Sequence, residues 1–263
     1  MIDLSYRGFA LDAETALALL QWQAEMGADE PCLDAPIDRL AEAAAARPAA
    51  PAQEPPAPVA AGEGDHVQTA RRMAAAADSL QALAEAMRSF DGLEIRKGAR
   101  NFCLADGNPK ARVMIIGEAP GEEEDNRGLP FVGRAGQLLD RMFAAIGLAR
   151  DCVDAQRALY ITNVLTWRPP GNRRPEPHEI AMMQPFLQRH VELIDPQLIV
   201  LMGNTPCQAA LGRQGILRLR GNWTTAYDRP ALPMTHPSYL LRTPLAKREA
   251  WADLLSLAAR LDG

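Results

Sequence analysis

The chain has 263 residues, 48% of them hydrophobic, with a formal net charge of −5. This length suits one sizeable domain with an appendage. No stretch approaches the roughly 20 consecutive apolar residues of a membrane-spanning helix. The start, Met1-Ile2-Asp3, lacks the basic and apolar parts of a signal peptide, so we expect cytoplasmic residence. A disulfide framework or zinc site is not expected, because no C-x-x-C pair links the four cysteines, Cys32, Cys103, Cys152 and Cys207.

Charge is distributed unevenly along the chain. Residues 1–66 carry 12 acidic and 3 basic residues, a balance of −9, whereas the remainder carries 21 acidic and 25 basic residues, a balance of +4. An acidic appendage therefore accompanies a mildly basic body, which is compatible with a nucleic-acid partner. Such a balance is also ordinary for a globular surface and is weak evidence alone.

The first third of the chain predicts an appendage and a linker. Apolar spacing predicts a helix over residues 11–26, with Asp12 as a cap and Gly27 as its end. Residues 43–64 form an Ala/Pro/Glu-rich stretch that cannot bury a core and indicates an extended, disordered linker. A second helix is predicted over residues 66–89. We therefore divide the chain into a helical appendage, a linker, a connecting helix and a folded domain, over residues 1–42, 43–65, 66–94 and 95–263.

The folded domain alternates apolar strands with helical patterns. This alternation predicts an α/β fold of three αβα layers around a parallel sheet. Strands are predicted over residues 113–116, 159–164 and 198–202, with a further apolar segment at 230–234. Helices are predicted at about 134–146, 178–193, from 205 onward and 245–261. Three polar motifs then follow three strand ends, where α/β proteins place their chemistry.

The first polar motif runs from Gly117 to Gly133 (GEAPGEEEDNRGLPFVG). Five acidic residues stand between Glu118 and Asp125, and Glu118 comes directly after a buried strand. The segment has neither a Walker A loop nor G-x-G-x-x-G, and its acids would repel phosphate, so a nucleotide cradle is not expected. The acids could bind Mg²⁺ or handle a water molecule, or they could form a solvated helix turn.

Four further features have both a structural and a functional interpretation. Phe131 could be a core residue or could stack on a flat ring, and Asn163 could form a turn or read the edge of a pyrimidine. The stiff loop at residues 169–175, with two arginines, could be solvated or could follow a phosphate backbone. His236 could be structural, but the apolar tip that follows it, Tyr239-Leu240-Leu241-Arg242, could wedge into a base stack.

Together these segments resemble the family 4 branch of the uracil-DNA glycosylase superfamily. The resemblance is carried in order by GEAPG at 117–121, GLPFVG at 128–133, ITNV at 161–164, RPPGNR at 168–173 and HPS at 236–238. It covers roughly residues 95–263. It implies a central four-stranded parallel sheet flanked by helices. It also implies DNA repair by hydrolysis of the N-glycosidic bond of deoxyuridine in DNA, after the base is flipped out, which leaves an abasic site.

The resemblance also implies roles for individual residues. Glu118 would handle the water, with Glu124 as second choice, and His236 would face uracil O2. The uracil would be bound by Gly117, Ala119, Gly121, Phe131 as the stacking ring and Asn163 at its edge. Gly121 stands where some relatives carry Tyr, so exclusion of thymine would pass to Glu124. DNA contacts are expected from Arg134, Asn172, Arg173, Arg174, Ser238, Leu240, Leu241 and Arg242.

Two departures from the family pattern are visible. Most family 4 members hold a four-iron cluster on four cysteines, but Trp167 and Met183 stand at the third and fourth positions. The first pair is replaced near Arg96-Lys97-Gly98-Ala99, with Cys103 alone, so we expect no cluster, no other cofactor and no metal. A sister branch that traps DNA covalently uses a histidine in a basic insertion. This chain lacks that insertion, which favours turnover, although His178 lies nearby.

Three functions therefore compete. The leading one is a monofunctional, metal-free uracil-DNA glycosylase, and the alternative is a uracil-DNA-binding protein with little or no turnover. The third is a Mg²⁺-dependent hydrolase that would use Glu118, Glu122, Glu124 and Asp125. We expect a monomer that acts on uracil-containing DNA, without a membrane, and a protein partner is conceivable for the N-terminal appendage.

Overall fold

The computed structural model describes residues 5–6, 9–10, 15, 17 and 63–262. The chain divides into two compact units, Met1–Pro58 and Val59–Gly263. In the first unit, β1 (Ser5–Tyr6) pairs with β2 (Phe9–Ala10) in antiparallel fashion, and residues 15 and 17 are helical. Apart from those two residues, the predicted helix over 11–26 lies outside the described residues, as does the linker up to residue 62.

The second unit is built on a six-stranded sheet. Its strands lie in the order β3-β5-β4-β6-β8-β7. Their bounds are β3 (Ala105–Gly107), β4 (Val113–Gly117), β5 (Leu159–Asn163), β6 (Leu198–Met202), β7 (Thr224–Ala226) and β8 (Arg229–Met234). The central four strands are parallel, which confirms the predicted core sheet. Two antiparallel edge strands were not predicted, because three residues each are too few for an alternating pattern.

Helices cover both faces of this sheet. Along β4, Met114 and Ile116 pack on one face, whereas Val113 and Ile115 pack on the other, since side chains alternate along a strand. The first face is covered by α1 (Glu63–Ala76), α2 (Leu80–Ser89), α5 (Pro177–Ile194) and α6 (Asn204–Leu211). The second is covered by α4 (Arg134–Ala144) and α9 (Lys247–Asp262). The three-layer αβα prediction is therefore confirmed.

Short helical segments complete the unit. They are α3 (Glu122–Arg127), α7 (Ile216–Leu219), α8 (Pro237–Arg242) and 3₁₀ turns at Glu94–Gly98, Pro170–Asn172 and Pro244–Ala246. In the part of the chain that the structure describes, no helix is both long enough and apolar enough to cross a bilayer.

The segment before the predicted domain is part of the folded unit. The single helix expected over residues 66–89 is two helices, because Ser79 caps the second by accepting the Ala82 N–H at 3.2 Å. Helix α1 packs along α5, and Phe90 is buried with its ring 5.4 Å from that of Phe186. A domain boundary at residue 95 is thus not seen in the structure, where residues 66–94 contribute to the core.

The strand register sets up the site. Gly117 of β4 lies opposite Asn163 of β5, and Met202 of β6 lies opposite Met234 of β8. Because all four strands are parallel, their carboxyl ends share one edge of the sheet. The polar residues that follow these ends are therefore neighbours in space.

The packing of α2 gives a stability prediction. Replacing Phe90 with Ala should lower the free energy of unfolding of the full chain by about 3–5 kcal/mol, because it opens a cavity beside Phe186. Chemical denaturation measures this, with Val153→Ala as the control at a side chain that is 93% exposed. A loss below about 1 kcal/mol for Phe90→Ala would mean that this segment does not stabilise the unit.

Candidate active site

A cleft of about 880 Å³ opens at the carboxyl edge of the sheet. Glu118 after β4, Asn163 at the end of β5, Gly203 after β6 and His236 after β8 all line it, together with Phe131. Phe131, Asn163 and His236, which are far apart in the sequence, therefore line one cleft. Ala119, Gly121 and Glu124 also line the cleft, and their roles toward uracil stay predictions.

Asn163 presents an unpaired acceptor at this edge. Its side chain is 3% exposed, and its Oδ1 atom is buried without a hydrogen-bond partner. A buried polar atom left unpaired costs about 1–3 kcal/mol, which a ligand donor would recover. Gly117 packs tightly beside it, since a Cβ there would lie 2.3 Å from this oxygen and 2.4 Å from the Phe131 ring.

Phe131 holds an unusual backbone conformation. Its φ of 53° is in the left-handed region, where aromatic side chains are rare. The ring is 5% exposed and stacks on the His236 imidazole, with centroids 5.4 Å apart and planes at 29°. The aromatic ring and the imidazole thus form one continuous wall of the cleft.

The hydrogen bonds of His236 fix its tautomer. The Ser238 N–H donates to Nδ1 at 3.2 Å, and Ser238 Oγ lies 2.8 Å from the same nitrogen. A backbone N–H can only donate, so Nδ1 is the unprotonated nitrogen and the proton sits on Nε2. Burial, aided by Arg242, lowers the pKa of His236 to about 4 although Glu124 opposes the shift. Near neutral pH the cleft therefore holds an uncharged imidazole donor.

Glu118 is held from the third strand end. Its Oε2 atom accepts the Thr205 hydroxyl at 2.7 Å, and Thr205 is buried at the start of α6. Among the described residues, Oε1 has no hydrogen-bond partner, so one oxygen is anchored and the other can accept a bond from water. Thr205 was not among the predicted site residues, although its place after a strand end was a usable signal.

Glu124 has a different environment from Glu118. Its carboxylate accepts the backbone N–H groups of Gly121 at 3.1 Å, Val132 at 3.0 Å and Gly133 at 2.9 Å. These bonds hold the chain before and after the loop that carries Phe131. They engage both oxygens of the Glu124 carboxylate. The contacts therefore favour Glu118 over Glu124 for handling water. Exclusion of thymine by Glu124 stays a prediction.

The remaining acids do not gather around one point. Asp125 is buried and accepts the N–H groups of Arg100 and Asn101, both at 2.9 Å. Glu122 is exposed and lies 3.7 Å from Arg168. Over the described ranges, no group of three or more His, Cys, Asp or Glu side chains could hold a metal ion. The Mg²⁺-hydrolase hypothesis thus lacks its expected ligand set.

The arginine loop is only partly available to DNA. Both Nη atoms of Arg173 bind the buried Glu179 carboxylate, at 2.9 and 2.6 Å. Burial raises the pKa of Glu179. The hydrogen bonds that its carboxylate accepts from Arg173 and from the Glu176 N–H lower this pKa by a larger amount, so the net shift is downward. This pair engages Arg173, which also lines the cleft, so its contact with phosphate stays a prediction. Asn172 accepts a bond from Arg168 Nε at 2.7 Å, whereas Arg174 is exposed at the cleft.

The tip after His236 is also used differently than predicted. Leu240 is fully buried against Leu138 and Ala250, so its expected DNA contact is wrong in this conformation. Ser238 hydrogen-bonds to His236 and lines the cleft, so its contact with DNA stays a prediction. Leu241 is half-buried, while Arg242 is exposed at the cleft. Arg134 is exposed at the start of α4 and does not line the cleft.

The residues present do not fit a four-iron cluster. Met183 is 1% exposed in the core, and Trp167 packs on Phe102 with ring centroids 5.0 Å apart. Burial, with Asp125 and Glu124 nearby, raises the pKa of Cys103 to about 12. A cluster needs four thiolate ligands, and Cys103 stands alone near the four expected positions.

Comparison with known proteins agrees with this geometry. Residues 104–255 match the model of the uracil DNA glycosylase superfamily. The chain belongs to this superfamily. It is 36% identical to the type-4 uracil-DNA glycosylase of Thermotoga maritima over 168 residues, which are 62% of this chain and 83% of that relative. It is 37% identical to the type-4 enzyme of Sulfurisphaera tokodaii over 177 residues, which are 64% and 78% of the two chains.

A further relative is a much longer protein. A DNA polymerase of Bacillus phage SP01 is 31% identical over 157 residues, which are 60% of this chain but 16% of the polymerase. Within the uracil-DNA glycosylase superfamily this chain is family 4-like, as its motifs indicated, because its type-4 relatives are 36% and 37% identical to it.

The environment of His236 gives a pH prediction. In an NMR titration its imidazole should protonate with a pKa of about 4, and at pH 7 its proton should reside on Nε2. Between that value and about 6.5 the unfolded chain binds a proton that the folded chain does not, so this group makes stability fall as pH falls. A measured pKa near 6.5, or a proton on Nδ1, would contradict the assignment.

Proposed function

We propose that this chain excises uracil from DNA by flipping the base into the cleft and hydrolysing its N-glycosidic bond. The observation that carries the proposal is the unpaired, buried Oδ1 atom of Asn163, which lies beside a ring that stacks on a neutral imidazole donor. Membership of the superfamily and the type-4 relatives support the same activity.

The proposed recognition follows from hydrogen-bond polarity. Uracil has an N3–H donor beside a carbonyl acceptor, and the Asn163 amide offers an acceptor beside a donor. Cytosine would present an acceptor to Oδ1 and leave this atom unpaired, so the same site would reject it. The ring of Phe131 would stack on the extruded base, a contact worth about 1–3 kcal/mol.

The proposed chemistry needs no covalent nucleophile. As the bond breaks, negative charge grows on uracil and positive charge grows on the sugar. The Nε2–H of His236 would donate to uracil O2, a contribution of about 3–4 kcal/mol by analogy with oxyanion donors. The free oxygen of Glu118 would orient water and favour the positive sugar.

DNA would be held by the cations that remain free at the rim. Arg174 and Arg242 are exposed and line the cleft, and Arg134 is exposed at the start of α4. Such contacts would help to offset the few kcal/mol that base extrusion costs. The monomeric state, the cytoplasmic location and a partner for the appendage stay predictions.

The alternative is a protein that binds uracil in DNA but turns it over poorly. His178, whose proximity kept a covalent trap open, lies 3.4 Å from Glu176 and does not line the cleft. The anchored Glu118 and the oriented His236 favour turnover over retention.

An oligonucleotide assay separates these functions. With a single uracil in DNA and a metal chelator present, the wild type should leave alkali-labile abasic sites. His236→Ala should lose roughly 10²–10³ in rate, and Glu118→Gln roughly 10²–10⁴. Matched controls are His178→Ala and Glu123→Gln, which should stay near the wild-type rate.

Each other outcome has a distinct meaning. A retained complex without abasic product would favour the binding alternative. Activity that disappears with the chelator and returns with Mg²⁺ would favour the metal-dependent hydrolase. Full activity in His236→Ala would remove the proposed mechanism.

The Thr205 contact gives a second test. Thr205→Val keeps the shape but removes the bond to Glu118, so kcat should fall about 10-fold while KM stays nearly constant, as expected for a lost charge-assisted hydrogen bond. Thr205→Ser restores a hydroxyl and should recover most of the rate. Equal losses in both variants would show that Thr205 matters for packing and does not position Glu118.

A further inference from the structure

We infer that Arg150 is a positioning residue that fixes the ring of Phe131 for stacking on the base. The inference rests on the proposed function only for the identity of the base. Its structural basis is a set of contacts that no motif of the sequence indicated.

Arg150 donates hydrogen bonds to the backbone at Phe131. Its Nη1 atom donates to the Pro130 carbonyl at 3.0 Å, and its Nη2 atom donates to the Phe131 carbonyl at 2.8 Å. The side chain is 14% exposed, so these bonds are largely shielded from water.

Two carboxylates contact the Arg150 guanidinium and fix its orientation. Asp106 of β3 lies 2.9 Å from Nη1, and Asp140 of α4 lies 2.8 Å from Nη2 and 2.9 Å from Nε. The planar guanidinium can serve two carbonyls and two carboxylates at once, which a single ammonium cannot do. Arg150 therefore ties the edge strand and α4 to the loop of Phe131.

The loop needs this restraint because its conformation is unfavourable alone. The left-handed φ of Phe131 costs of order 1–3 kcal/mol. Its carbonyl also lies against Gly136 of α4, where a Cβ would sit 1.7 Å from the oxygen. Glu124 holds the N–H groups of the next two residues, Val132 and Gly133. The loop is thus clamped from two sides, with Arg150 on the carbonyls and Glu124 on the N–H groups.

The test is a double-mutant cycle between Arg150 and Phe131. Arg150→Lys should lower kcat/KM for uracil excision roughly 10- to 100-fold, because it loosens a positioned contact. In a Phe131→Ala background the same change should have less than about a 2-fold effect, because no ring remains to position. The matched control is Arg157→Lys, an exposed arginine of the same connection with one bond to the Gly147 carbonyl.

A second readout does not depend on activity. Phe131 stacks on His236, so its ring current shifts the imidazole proton resonances of wild type. Arg150→Lys should move these resonances toward their positions in Phe131→Ala, while Arg157→Lys leaves them in place.

The outcomes separate this inference from the proposed function. Wild type that excises no uracil would sink the proposed function, while the resonances still test Arg150. Equal losses from Arg150→Lys with and without the ring, or unchanged His236 resonances in a folded Arg150→Lys protein, would overturn the role of Arg150.

Discussion

The register of the four parallel strands is the constraint on which the site depends. Gly117 pairs with Asn163, and Met202 pairs with Met234, so four strand ends meet at one edge. A slip of one residue would reverse the side chains of a strand and turn buried aliphatic residues out of the core. The same apolar packing that stabilises the sheet therefore also determines which polar residues become neighbours in the cleft.

The cleft concentrates features that are unfavourable in the free protein. An acceptor is buried without a donor at Asn163, Phe131 has a left-handed backbone, and burial opposes protonation of His236. Two of these features have a supporting partner: Arg150 donates to the Phe131 carbonyl, and the Ser238 N–H donates to the His236 imidazole. Unfavourable local states persist only where their surroundings determine them, and such clusters are typical of ligand sites.

The sequence predicted the parts of the fold that depend on local pattern. Three apolar runs predicted three of the four parallel strands, and the resemblance implied a four-stranded sheet that the further apolar segment at 230–234 completes. Polar residues after the strand ends indicated where the cleft lies. Contacts between side chains on different elements could not be predicted from the sequence. The charge of Arg173 did not show that it binds Glu179, and the apolar character of the segment after His236 did not show that Leu240 is buried. Arg150 was missed for the same reason, because its partners Pro130 and Asp106 lie 20 and 44 residues away in the chain.

The positions where a cluster would be held are filled by packed side chains and are separate from the cleft residues. At the positions where the resemblance places cluster ligands, Met183 lies in the core and Trp167 packs on Phe102. The Arg88 guanidinium lies 4.7 Å from the centre of the Phe102 ring and joins α2 to this packing. These aromatic, cationic and apolar contacts thus lie on the face of the sheet opposite Phe131. At the strand ends, Glu118 is hydrogen-bonded to Thr205 and His236 to Ser238. Because the proposed mechanism draws only on the strand ends, replacing cluster ligands with packed side chains need not alter the cleft.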